Sequence, residues 1–140
     1  MQTIYISINE FQALSKLVTE LIRTSPKTLP AIQKLHEELN RAVVLDPKAI
    51  PNDIVTLNSR VSLRDLDTGE LEDWILTMPE HADSDEKRIS VLAPIGTAVL
   101  GFPEGCDIEW DTPGGFRKLR IEKVEHNAFV PARMLEFQYH

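Results

Sequence analysis

The stretch Arg60-Val61-Ser62-Leu63-Arg64-Asp65-Leu66-Asp67-Thr68-Gly69-Glu70-Leu71 divides the chain into two regimes. Val61 and Leu63 alternate with Arg60, Ser62 and Arg64, the period-two pattern of a half-buried strand. Asp67-Thr68-Gly69 is a turn signal, because Gly69 tolerates the positive φ a tight hairpin requires. Leu71 to Met78 then returns as the partner strand. Further downstream, Pro79 to Lys87 reads as a polar loop and Ile89 to Leu92 as another strand. Pro94 to Leu100 fits one or two helical turns. Ile108 and Trp110 fall on one face of a strand, Thr112-Pro113-Gly114-Gly115 is a tight turn, and Leu119 with Ile121 opens a last long strand. The second part of the chain is therefore predicted to be a small antiparallel sheet with one short helix.

Upstream of residue 50 the period is helical. Phe11, Leu14, Leu17, Val18, Leu21 and Ile22 form one apolar stripe, with Asn9 as the expected N-cap and Gln12 as its capping-box partner. Pro26 ends this helix. Thr28 is placed to cap a second one, with Pro30 in its first turn and a stripe of Ile32, Leu35, Leu39, Ala42 and Val43. Asp46-Pro47 closes that helix. Two stripes joined by so short a connection face each other, giving an antiparallel hairpin with the character of a short coiled coil. Each arm has about 14–16 residues and projects roughly 21–24 Å. Thr3 to Ser7 alternates like a short strand and is expected to pair with the later sheet. The predicted class is α+β. It comprises a helical hairpin over residues 1–48, a sheet domain over 49–128 and a tail over 129–140 that is apolar in patches.

The balance of 15 Lys and Arg against 22 Asp and Glu gives a net charge of −7. That argues against sequence-independent binding to nucleic acid, which needs clustered cations, and suits a basic protein partner or simply a solvated surface. Cys106, the single cysteine, excludes an internal disulfide. No basic region precedes the first apolar residues, and the longest apolar stretch, Ile95 to Phe102, is too short to span a bilayer. A cytoplasmic protein without a membrane association is expected.

Sites for chemistry are sparse. His36, His81, His126 and His140 are scattered and show no metal-ligand spacing with Cys106. Glu80, His81, Asp83, Asp85 and Glu86 form an acidic loop without the glycine and terminal glutamate of a calcium loop. No nucleophile elbow occurs. No metal or other cofactor is expected.

From Asp53 to about Glu125 the sequence resembles the C-terminal domain of the Gre transcript-cleavage factors. The similar pieces are Val55 to Val61, Asp67-Thr68-Gly69-Glu70, Ile89-Ser90-Val91, Ala93 to Gly101, Gly105-Cys106-Asp107, Pro113-Gly114-Gly115 and Leu119-Arg120-Ile121. The resemblance implies a curved antiparallel sheet wrapped around a short helix, like that of the FKBP prolyl isomerases, behind a helical hairpin. It also implies RNA polymerase as the partner. Pro94, Ile95 and Gly96 would then lie at the surface that docks on the rim of the polymerase secondary channel, with Pro94 and Ile95 as exposed apolar contacts. Ala93 departs from the serine usual in that superfamily. This alanine, the short hairpin and Asn58-Ser59-Arg60 are similar to the regulators of nucleoside diphosphate kinase within it.

Gre factors carry acidic residues at the hairpin tip to help position magnesium, a hard cation that requires oxygen ligands. Here the tip reads Arg23-Thr24-Ser25-Pro26-Lys27-Thr28 and holds no acid. Arg23 and Lys27 would repel the metal and either meet phosphates or acidic groups of the partner or stand solvated. A non-catalytic polymerase-binding regulator is therefore expected. The alternatives are an active transcript-cleavage factor and a prolyl isomerase suggested by fold alone.

Overall fold

A computed structural model of the chain describes residues 2–25, 27, 29–112 and 114–131. The elements are β1 (Tyr5–Ser7), α1 (Ile8–Thr24), α2 (Leu29–Arg41), β2 (Val43–Leu45), β3 (Arg60–Asp65), β4 (Leu71–Thr77), β5 (Arg88–Ser90), α3 (Pro94–Val99), β6 (Asp107–Thr112) and β7 (Gly115–Glu125).

α1 starts earlier than the expected cap at Asn9. Ser7 is the N-cap, and its Oγ accepts the Glu10 N–H at 3.1 Å, while the Glu10 carboxylate reaches back to the Ser7 backbone. Ser7 and Glu10 form a reciprocal capping box that satisfies two otherwise orphan donors. The apolar stripe then turns Leu14 and Val18 inward, against Ile32, Leu35 and Leu39 of α2. The roles expected of Pro26 and Thr28 lie outside the described residues.

Two pairings differ from expectation. β1 joins β2, not the later sheet, in a parallel pair with Tyr5 opposite Val43 and Ser7 opposite Leu45. Val43, placed on the second helix by its hydrophobicity, belongs to this strand, because α2 ends at Arg41. The second difference is in the main sheet, whose order is β5-β4-β3-β7-β6. It is antiparallel except that β5 runs parallel to β4. Two single 3₁₀ turns, Pro79–His81 and Ser84–Glu86, and Lys87 at a φ of 57° carry the chain across so that it re-enters in the same direction.

α3 closes the inner face of this sheet. Gly96 makes that approach possible, since a Cβ there would lie 2.1 Å from the Ser90 carbonyl oxygen. Gly101, at a φ of +80°, lets the chain pass under β1, where a Cβ would meet Ile4 Cβ at 2.9 Å. One hydrophobic core runs through both parts of the chain, from Ile4, Leu14, Ile32 and Leu35 to Val61, Leu76, Leu100 and Ile121. Each such burial stabilises the fold by roughly 1.5–3 kcal/mol. The outer face carries ion pairs such as Arg60–Glu125 at 2.6 Å and Arg64–Glu122 at 2.8 Å. Both are solvated, so each contributes no more than about 1 kcal/mol. Among the described residues no helix is long and apolar enough to cross a membrane.

Candidate functional site

Strand alternation sends every second side chain of β3, β4 and β7 to the inner face. Where α3 begins, these side chains leave a groove of about 290 Å³. Its floor is apolar, made by Leu63, Trp74, Ile89, Ile95 and Leu119. Asp65, Glu70, Glu72 and Arg117 make a charged rim, and Ala93 and Pro94 form the lip on the α3 side.

Asp65 organises the rim. Its Oδ1 accepts the N–H groups of Asp67 at 2.8 Å and Thr68 at 3.1 Å, which fixes the β3–β4 turn. Its other oxygen pairs with the Arg117 guanidinium on β7. The Asp65 side chain is only 6% exposed, against 43% for Arg117, so a buried acid holds a half-exposed arginine. The Arg117 guanidinium, helped by the two turn N–H groups, holds the Asp65 carboxyl below its ordinary value. Asp65, with Glu72 and Glu70 nearby, raises the arginine in turn.

Trp74 is held from two sides. Its indole N–H donates to Glu72 Oε2 at 3.2 Å, and Lys87 Nζ sits 4.8 Å from the ring centre. The arrangement offers an apolar slot with three acids against one arginine. It suits an apolar side chain flanked by a cation. None of these groups forms a nucleophile–base pair.

The structure separates the residues picked from sequence. Pro94 is exposed at the first position of α3, where its missing N–H costs nothing. Ile95 is not the exposed contact expected: it is 7% accessible and meets the groove only as floor. The six-residue helix is pinned to the sheet by the Thr97 hydroxyl, which donates to the Val91 carbonyl at 2.6 Å, and this turns Ile95 inward. Gly96 is buried against the Ser90 carbonyl. Arg23 and Lys27 are exposed at the hairpin end and line no part of the groove. Arg23 pairs with Glu20 at 2.9 Å.

Sequence reasoning passed over Asp65, Glu70, Glu72 and Arg117. A signal was present. Asp65 is in phase with Val61 and Leu63, and Arg117 with Leu119 and Ile121, so each continues an inward-facing series.

A second carboxylate joins the two parts of the chain. Glu10 Oε2 accepts the Leu57 N–H at 2.5 Å, and burial pushes the Glu10 carboxyl above its ordinary value despite that bond. His126 Nε2 lies 2.6 Å from the Ile54 carbonyl oxygen in the same region. Cys106 is half-buried, and burial raises its thiol. Among the described residues no three His, Cys, Asp or Glu side chains converge to hold a metal. His140 lies outside the described residues.

Residues 50–126 match the family model described as "Transcription elongation factor, GreA/GreB, C-term". The chain is similar to the regulator of nucleoside diphosphate kinase of Escherichia coli K12, with 41% identity over 87 residues, 62% of this chain and 64% of that protein. It is 34% identical over 93 residues to transcription elongation factor GreA of Azorhizobium caulinodans, covering 66% of this chain and 59% of that factor. Both matches thus span less than two thirds of the relative. Among solved structures, a prokaryotic transcription elongation factor GreA/GreB from Nitrosomonas europaea superposes with a TM-score of 0.75 at 37% identity. That match covers 89% of this chain and all of the other.

Proposed function

The chain belongs to the GreA/GreB C-terminal family of transcription elongation factors, and on that premise we propose that it regulates transcription by binding RNA polymerase without cleaving transcripts. The groove beside α3 is the docking surface, with Pro94 as the apolar lip and Ile95 and Gly96 supporting it from beneath. The partner surface is the rim of the secondary channel, where the chain competes with Gre-type factors.

The observation that carries the non-catalytic part is the hairpin end. No carboxylate lies between Leu21 and Leu29, and Glu20 is taken up by Arg23. A tip presenting Arg23 and Lys27 offers a magnesium ion positive charge and no carboxylate ligand. A prolyl isomerase gains no support from the groove, whose lining includes one aromatic side chain, Trp74.

The test is competition between this chain and GreA for core RNA polymerase, with wild type and Pro94→Asp. Aspartate is tolerated at a helix N-terminus, so the variant keeps α3. Displacement of GreA by wild type, with the variant weaker by about tenfold or more, is expected for loss of a central apolar contact. Absence of binding at micromolar concentrations would remove the proposal.

A further inference from the structure

α1 is apolar over a wider arc than its buried face uses. Leu14 and Val18 are buried in the core, while Ala13, Leu17 and Leu21 form a second line at four-residue spacing. Ala13 is exposed, and Leu17 and Leu21 are half-buried. Met78 lies just past β4, and Pro79 and Glu80 belong to the 3₁₀ turn that follows. Together these residues line a groove of about 410 Å³, with exposed Lys16 and Glu20 on its flank. It shares no lining residue with the groove beside α3.

The described part of the chain stops close to this groove. The Ala128 and Phe129 N–H groups both donate to the Asn58 carbonyl, at 2.8 and 3.3 Å. The Phe129 ring lies 5.4 Å from that of His81 and 4.7 Å from the Arg88 guanidinium. Arg88 in turn donates from Nε to the His81 carbonyl at 2.7 Å. His81 is the third residue of the turn whose first two, Pro79 and Glu80, line the groove. Phe129 is thus anchored at the groove's end. Nine residues follow Pro131, Ala132 to His140, and lie outside the described residues. Leu135, Phe137 and Tyr139 alternate with Glu136, Gln138 and His140, so an extended backbone gathers three apolar side chains on one face. At about 3.3 Å per residue such a segment reaches roughly 30 Å. The groove needs less, since Ala13 and Leu21 are about 12 Å apart along α1.

We propose that residues 132–140 of the same chain occupy this groove and strap α1 to the sheet domain. Leu135, Phe137 and Tyr139 cover Leu17, Leu21 and Met78, and Glu136 comes within reach of Lys16 on the flank. Tethering selects this occupant. Phe129 already holds the segment at the groove's end, so docking is intramolecular and loses no translational freedom, whereas a separate protein would.

Paramagnetic broadening of amide signals in the full chain tests this. A nitroxide is attached at Gln138→Cys in a Cys106→Ser background, which leaves one thiol. The signals of Ala13, Leu17 and Glu80 should be lost and should return when the nitroxide is reduced. Those of Glu109 and Lys118, at the sheet edge opposite β5, should persist. Leu135→Asp with Phe137→Asp should restore the lost signals from the tail side. Ala13→Arg should restore the others from the groove side. Its site is exposed and arginine is a good helix former, so α1 is kept, and the dispersion of each spectrum confirms that the variant is folded. Signals that persist in the spin-labelled chain overturn the proposal, as do losses that neither variant reverses. A mixture of spin-labelled chain with isotope-labelled, nitroxide-free chain separates a second copy: broadening there means the tail reaches another molecule, which also overturns the proposal. No polymerase is present, so the outcome is separate from that of the competition with GreA.

Discussion

Asp65 and Glu10 are both inward-facing carboxylates, yet their surroundings push them in opposite directions. Asp65 is depressed by Arg117 and by the N–H groups of its turn. Its contribution to stability is intact above the ordinary carboxylate range near pH 4 and is lost as the pH falls through the lower folded value. Glu10 is raised by burial. Its contribution is fullest below its ordinary value and is lost as the pH rises through the higher folded one. Thermal unfolding measured from pH 3 to pH 8, as an approximate range bracketing both groups, should separate them. Asp65→Asn should lose most, relative to wild type, above pH 4, with the gap closing in acid. Glu10→Gln should behave in reverse, with its relative stability improving as the pH rises from acid to neutral. Asp65 was legible as an inward residue from its phase with Leu63. Glu10 was missed because Asn9 offers an equally good cap two residues after Ser7, and only Leu57, 47 positions away in sequence, gives Glu10 its second role.

Elements were readable wherever a local pattern marks them, but pairings between strands distant in sequence were not. The stripes of α1 and α2 and the β3–β4 hairpin are local patterns. The parallel pairs β1–β2 and β4–β5 depend on contacts that no short window contains. Positions where α3 and its neighbours approach closely are a further consequence of tertiary geometry, and glycine substitutions should report them in order. Gly96→Ala forces a Cβ onto the Ser90 carbonyl and should cost about 1–3 kcal/mol in urea unfolding, as overpacking does. Gly101→Ala adds a positive φ to a contact with Ile4 and should fall in a similar range. Gly69→Ala has a positive φ but open space, so only a backbone cost of about 1 kcal/mol is expected. A Gly69 variant as damaging as the Gly96 one would contradict this reading of α3.

Across the whole molecule, the core does not stop at the boundary between the hairpin and the sheet. Leu35 on α2 shares it with Val91 and Leu100 beside α3. Leu35→Ala should therefore destabilise the sheet as well as the hairpin, by about 2–5 kcal/mol. Helical circular dichroism and tryptophan fluorescence should shift together in one transition. Separate midpoints would show that the hairpin melts alone. The family was legible in ordered short pieces between Asp53 and Glu125, because the pieces are turns, packed strand segments and the short helix α3 that the fold demands. The groove was not, because its lining is drawn from β3, β4, β5, α3 and β7 and from the turns between them.

The position of β7 has a consequence for biosynthesis. It is the last of the described strands in chain order, yet it lies in the interior of the sheet, between β3 and β6. A chain emerging from the ribosome exposes β3 with one side unpaired and β6 with no partner at all until residue 125 is free. At about 5–20 residues per second, the stretch from Asp65 to Glu125 takes several seconds to appear. During that interval the nascent sheet holds two vacant edges, and a chaperone that covers β3 or β6 would act while synthesis is still under way.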